Sequence, residues 1–204
     1  MKSRSNTRKT ARQSPADTKR RIVDAAFAIA ATKGFEHATT AEIAKRASVA
    51  EGSIYNHFRT KDDLLIYMVG EYSRAVLGGL SDAVAGESDP LRKIENLIAF
   101  HIRFFTQEGN IFQVIYGKRP GAKVQMARII RVAIGPYVSL IEGIIREGIA
   151  RGKFRNVNPR IAASVLLGGM QLTILQRFFN LADYGPDEAI EQIRNVYLGG
   201  LKSG

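Results

Sequence analysis

The 204-residue chain contains no cysteine and no tryptophan. The missing thiols exclude disulfides, thiolate metal sites, thiol nucleophiles and thiol redox sensing together. Only three histidines occur, His37, His57 and His101, and they are widely separated. They offer little material for a metal site, and no metal or other cofactor is called for. No apolar run reaches about 18 residues, which argues against a membrane span. The N-terminus is basic but lacks the apolar stretch of a signal peptide, so the expected compartment is the cytoplasm. Paired carboxylates in an apolar setting, a phosphate-binding glycine loop and a serine nucleophile elbow are missing too, which argues against an enzyme.

Positive charge, by contrast, is abundant and unevenly placed. The net charge is +11. Between Met1 and Lys61 stand thirteen basic side chains against five acidic ones, so nearly three quarters of the excess lies in the first third of the chain. Such asymmetry points to a polyanion contacted by one end of the molecule, although a solubilising tail would look similar. Residues 1–16 are polar and basic and read as a flexible arm, either a minor-groove or phosphate-binding extension or a plain tail.

The remainder reads as all-α, with apolar residues recurring every three or four positions and about nine helices. The first runs from about Asp17 to Lys33, with Gly34 as its stop. Thr39 and Glu42 have capping-box spacing and open a short second helix. After the turn Ala47-Ser48-Val49, a third runs from about Glu51 to Phe58. Thr60 and Asp63 open a longer fourth that fades near Gly78-Gly79. Asp89-Pro90 restarts the chain as a helix, and a short one covers Ile111 to Tyr116. A long one from about Lys123 to Ala150 is bent at Gly135-Pro136. Two more cover about Arg160 to Asn180 and Asp187 to Leu198. Residues 17–61 form one unit and 62–204 a larger bundle.

Two short helices joined by a tight turn behind a basic segment make a helix-turn-helix. The stretch Thr39-Thr40-Ala41-Glu42-Ile43-Ala44-Lys45-Arg46-Ala47-Ser48-Val49-Ala50-Glu51-Gly52-Ser53-Ile54-Tyr55-Asn56-His57-Phe58-Arg59-Thr60-Lys61 closely resembles the DNA-binding signature of the tetracycline-repressor (TetR) family of transcriptional regulators. The threonine pair, Ile-Ala, Ile-Tyr, His-Phe and the trailing lysine carry the resemblance, which covers about residues 18–70. It departs from the common pattern at Ser48, where glycine is usual, at Ala50, where a serine cap is usual, and at Glu51, where lysine is frequent.

The residues admit a physical reading beside the resemblance. Thr39 and Thr40 stand where unpaired helix-start amides meet a phosphate. Gly52 lets the backbone approach the bases. Glu51, Ser53 and Asn56 suit base edges, and Glu51 in particular suits cytosine N4. Lys61, opening the fourth helix, would place its charge on the DNA backbone. Tyr55 and His57 suit phosphates, as they do in the family, though each also reads as a packing or surface residue. Ile43, Ala44, Ile54 and Phe58 read as the core beneath.

The resemblance implies that the last two helices pair with those of a second copy, giving a homodimer on palindromic double-stranded operator DNA. Candidate interface residues are Val165, Gly168, Gly169, Leu172, Leu175, Ile193 and Tyr197, although an ordinary buried helix pair would have the same composition. It also implies an effector pocket in the bundle, with Ile98, His101, Ile102, Phe105, Phe112, Tyr116, Ile134, Tyr137 and Gln171 as candidate lining, each of which also reads as plain core. An apolar small molecule is favoured: an acyl chain or an aromatic compound, or an acyl-CoA if Lys118, Arg119, Lys123, Arg128 and Arg131 hold its phosphates. The function expected is a ligand-responsive regulator, most naturally a repressor released by its effector. The alternative is a basic amphipathic helical protein that binds anionic membranes, or nucleic acid, without a regulatory ligand.

Overall fold

The computed structural model describes residues 14–107 and 127–203, and among them it contains eight α-helices and no strand. The all-α class expected from the periodicity is what is found. The expected helix at 111–116 lies outside the described residues, as do Phe112, Tyr116, Lys118, Arg119, Lys123 and residues 1–13 of the arm.

Helix α1 spans Pro15–Lys33. Ser14 caps it, its hydroxyl accepting from the Asp17 amide at 3.1 Å, and Pro15 takes the first turn, where a missing N–H costs nothing. The helix thus begins two residues before the expected Asp17, taking in Pro15 and Ala16. Helix α2, Thr40–Ala47, starts with the expected capping box: the Glu42 amide donates to Thr39 Oγ1 and the Thr39 amide donates to Glu42 Oε2. Helix α3 spans Glu51–His57. These helices close over Ile22, Ala26, Phe35, Ile43, Ile54 and Phe58, each no more than 4% exposed.

Helix α4 runs Lys61–Val84, well past the glycines expected to end it. Gly79 is a notch and not a stop: a Cβ there would meet the Phe100 ring at 2.4 Å. The described chain divides into two compact units between Leu64 and Leu65, within α4, where the sequence placed the boundary after Lys61. The second unit contains the rest of α4 together with α5 (Pro90–Gln107), α6 (Gly135–Ala150), α7 (Pro159–Phe178) and α8 (Pro186–Leu201). Pro90, Pro136, Pro159 and Pro186 each stand in the opening turn of their helix. The expected bend at Gly135-Pro136 is a single π turn, Ile130–Ile134, leading into α6. Pro136 cannot donate a ladder bond, and the wider turn absorbs the break. Ser73 Oγ of α4 donates to the Ala133 carbonyl at 3.2 Å, which ties α4 to that turn.

One described helix, α7, is long and apolar enough to cross a membrane by length and composition alone. Only 28% of its apolar window is buried in the chain.

Candidate nucleic-acid interface and effector cavity

Helix α3 has two faces. Ile54 and Phe58 point into the head's core, whereas Glu51, Gly52, Tyr55 and Asn56 face solvent and Ser53 and His57 are half-buried. Tyr55 is 53% exposed, so it does not pack down on α1. A Cβ at Gly52 would meet nothing within 4 Å, leaving the backbone approachable from outside. The outward set is therefore polar, exposed and mounted on a short rigid helix.

Two of the candidate contact residues hold one another. Thr40 Oγ1, at the start of α2, donates to Glu51 Oε1 at 2.5 Å. That bond links the first turns of α2 and α3 and fixes the Glu51 carboxylate as an acceptor at the front of α3. Lys61 is engaged as well: its Nζ donates to the Glu36 carbonyl at 2.9 Å and sits 5.0 Å from the centre of the Phe35 ring. A phosphate on Lys61 would have to share an ammonium that already ties α4 to the turn after α1.

The turn between α2 and α3 is built on an unfavourable residue. Ser48 has φ +53 and ψ 48, a left-handed conformation that costs a non-glycine residue about 1–2 kcal/mol. Arg21 of α1 holds it there, donating from Nη2 to the Ala47 carbonyl and, at 2.9 Å, to the Ser48 carbonyl. Arg21 belongs to the basic excess of the first 61 residues, and its guanidinium clamps the turn. Ser48→Gly removes the steric cost but adds freedom to the unfolded chain. It is expected to stabilise the protein by about 0.5–1 kcal/mol in urea unfolding, with operator preference unchanged. At the front of α2, the ion pair with Lys33 and the capping bonds from Thr39 hold the Glu42 carboxyl down at about 2.

The second unit encloses a cavity of about 270 Å³. Five of the candidate ligand residues line it: His101, Phe105, Ile134, Tyr137 and Gln171. Ile98 and Ile102 do not. Both are fully buried in the core on the neighbouring side of α5. The wall also includes Val69, Tyr72, Ser73 and Val76 of α4, which the sequence reading did not single out. Gly168, read as an interface residue, is on the wall too.

His101 is 1% exposed, and its Nδ1 is 2.6 Å from the Tyr137 hydroxyl. Burial pushes the imidazole down to about 3 and pushes the Tyr137 phenol above its ordinary range. The unfolded chain titrates this histidine near 6.5. Between 6.5 and 3 the unfolded state therefore binds a proton that the native state does not. The stabilisation is complete above 6.5 and is lost as pH falls toward 3, at about 1.4 kcal/mol per unit. Urea unfolding at pH 7 and pH 5 is expected to differ by about 2 kcal/mol more for the wild type than for His101→Phe.

The candidate interface residues on α7 and α8 fall into two groups. Val165 and Leu172 are 62% and 59% exposed, and Gly168 and Gly169 are open, with nothing within 4 Å of an added Cβ. Ile161 on α7 and Val196 on α8 are exposed apolar residues as well, at 63% and 77%. Leu175, Ile193 and Tyr197 are half-buried, and the Tyr197 hydroxyl donates to the Ala162 carbonyl at 2.9 Å within the same chain.

Comparison with known proteins agrees with both units. Residues 22–68 match the model for bacterial regulatory proteins of the tetR family, and residues 87–174 match a tetracyclin repressor-like C-terminal domain. The chain belongs to the TetR family. It is a ligand-responsive DNA-binding regulator, and the reading as a basic membrane-surface protein is not supported. A fatty acid metabolism regulator protein of Bacillus subtilis is 24% identical over 181 residues, covering 88% of this chain and 93% of the relative. The fatty acid degradation regulator FadR of Bacillus halodurans superposes with a TM-score of 0.78 at 23% identity, over 93% of this chain and 98% of that one. FadR of Bacillus subtilis, solved in complex with stearoyl-CoA, gives 0.78 at 22% identity, over 89% and 98%. At such identity the two structures show a shared fold.

Proposed function

We propose that this TetR-family chain is a homodimeric repressor, cytoplasmic and without catalytic activity. In this reading it binds a palindromic operator through α3 and is released by a long-chain acyl ligand such as an acyl-CoA. The observation that carries the DNA half is the outward face of α3 with the front of α2 beside it: Glu51, Gly52, Tyr55 and Asn56 are exposed, Ser53 and His57 are half-buried, and Thr40 at the start of α2 is bonded to Glu51, while Ile54 and Phe58 alone turn into the head's core. Thr39, Thr40, Glu51, Gly52, Ser53, Tyr55, Asn56 and His57 are the proposed contacts. The apolar cavity and the fatty-acid relatives support the ligand half. Helix α4 suits the coupling role, since one continuous helix starts at Lys61 and carries Val69, Tyr72, Ser73 and Val76 to the cavity wall. An effector weakens operator binding only by its differential affinity for two arrangements of the protein.

The exposed apolar set Ile161, Val165, Leu172 and Val196 is proposed to pair with its copy, with Gly168 and Gly169 letting the two backbones approach. Val165→Glu with Leu172→Glu is expected to give a monomer in sedimentation, and with it a loss of operator binding of at least roughly tenfold, because each half-site alone holds one head. The test of the whole reading is selection of duplexes from a random pool with the full chain, followed by titration of stearoyl-CoA into the selected complex.

A further inference from the structure

This inference rests on the cavity being the effector site. The cavity wall carries few polar side chains, and its two serines are already engaged. Ser73 Oγ donates to the Ala133 carbonyl and Ser164 Oγ to the Arg160 carbonyl, at 3.2 and 2.9 Å. His101 differs. Its Nδ1 faces the Tyr137 hydroxyl, its ring lies 4.6 Å from that of Phe105 and edge-on to that of Tyr137, and its Nε2 is buried with no hydrogen-bond partner.

The tautomer follows from Tyr137. A phenol has one hydrogen, and among the described residues the acceptor it meets is His101 Nδ1, at 2.6 Å. With Nδ1 accepting, the neutral ring carries its proton on Nε2 and offers it as a donor. Burial keeps the ring uncharged, so it presents one N–H and no positive charge. A carboxylate at this atom would lose its hydration for a single neutral donor, whereas a carbonyl or ether oxygen loses little and gains a bond.

We propose that His101 donates from Nε2 to an uncharged acceptor oxygen of the effector (thioester, ester or ketone), with Tyr137 as the positioning residue that sets the tautomer. The cavity thereby selects a chain bearing a neutral oxygen over the same chain ending in carboxylate or in hydrocarbon.

The experiment measures binding of methyl decanoate, undecane, decanoate and decanoyl-CoA to the full-length protein by calorimetry at pH 7.5. The wild type is expected to favour the ester over the alkane by about three- to tenfold, the range of one net hydrogen bond. His101→Phe, which keeps a ring in place, is expected to bring that ratio to about one, and His101→Gln, which returns an amide donor, to restore part of it. Tyr137→Phe should lower the ratio without removing alkane binding. Since these variants disturb a buried pair, the wild type is also read by imidazole ¹⁵N spectra, with three histidines to assign. The Nε2-protonated form is expected, shifted by the ester and not by the alkane. An unchanged ester-to-alkane ratio in His101→Phe, or a proton on Nδ1, overturns the proposal while leaving the cavity as the effector site. Failure of the wild type to bind any of the four probes overturns both.

Discussion

Tyr55→Asp is expected to lower affinity for the selected operator by roughly a hundredfold at physiological salt. The effect should be nearly the same on scrambled duplexes. The physical reason begins with where the side chain is not. Tyr55 is 53% exposed on α3, beside a buried Ile54 that carries the helix's packing, so the substitution removes no core contact. Thermal stability should stay within about 0.5 kcal/mol of wild type. On the DNA side, a hydrogen bond to a charged phosphate is worth about 1.5–3 kcal/mol, and a carboxylate there adds repulsion. A loss near 2.7 kcal/mol is about a hundredfold. Phosphate contacts carry no sequence information, hence the uniformity across duplexes. Asn56→Ala should behave differently: its side chain faces the bases in this account, so it should re-rank sequences more than it weakens them. Fluorescence anisotropy with the two duplex types separates the cases. A uniform loss from Asn56→Ala, or no loss from Tyr55→Asp, would misplace the contact face of α3.

The second large effect concerns folding. Gly148→Val is expected to destabilise the protein by about 3 kcal/mol, which for a chain of this size lowers the melting temperature by roughly 6–12 °C. A Cβ at Gly148 would lie 2.0, 2.3 and 2.7 Å from three atoms of the Phe154 ring, the last of them Cγ, near the root of the side chain. The ring cannot swing aside cheaply. Its own amide donates to the Gly148 carbonyl at 3.1 Å, the Lys153 amide donates to the same carbonyl at 2.9 Å, and the Arg155 amide donates to the Leu201 carbonyl at 3.0 Å. Phe154 also bridges to Lys202. The segment after α6 is therefore stitched to both α6 and the end of α8, with the ring, 2% exposed, wedged between them. Gly143 on the same helix is the control, since nothing lies within 4 Å of a Cβ there. Gly143→Ala should gain up to about 1 kcal/mol from helix propensity alone. Urea unfolding of the two variants side by side tests the packing account, and similar effects would contradict it.

These examples show which parts of the molecule a sequence displays. Helix starts are legible because capping is local: Thr39 with Glu42, Thr60 with Asp63, and Asp89 with Pro90 each announce a start within four residues. Ser14-Pro15 carries the same signal inside a basic segment that reads as unstructured. Helix ends were less legible. Gly78-Gly79 resembles a terminus, but the reason for Gly79 is the Phe100 ring some twenty residues away in sequence, which no local pattern contains.

The site divides in the same way. The outward and inward faces of α3 follow from helical period, so Ile54 and Phe58 could be separated from Tyr55 and Asn56 directly. The second partners of charged residues could not be foreseen. The sequence offers Lys61 and Glu51 as DNA contacts and Arg21 only as part of the basic excess, yet Arg21 clamps the Ser48 turn, Lys61 reaches the Glu36 carbonyl, and Glu51 accepts from Thr40. The cavity was only half legible, because its wall and the core require the same apolar side chains. Ile98 and Ile102 share the apolar stripe of α5 with His101 and Phe105, and a modest rotation about the helix axis decides which of them borders space. His101 stood out because a polar ring on an apolar stripe needs a partner, and Tyr137 is that partner.

The account's central claim is that one chain reads DNA with α3 and releases it when the cavity is filled. Its most direct test is anisotropy of a selected palindromic duplex bound to the full-length protein while stearoyl-CoA is titrated in, with CoA alone as the control. Dissociation of the duplex by stearoyl-CoA and not by CoA is the predicted result. An operator complex indifferent to the acyl thioester at saturating cavity occupancy would contradict it.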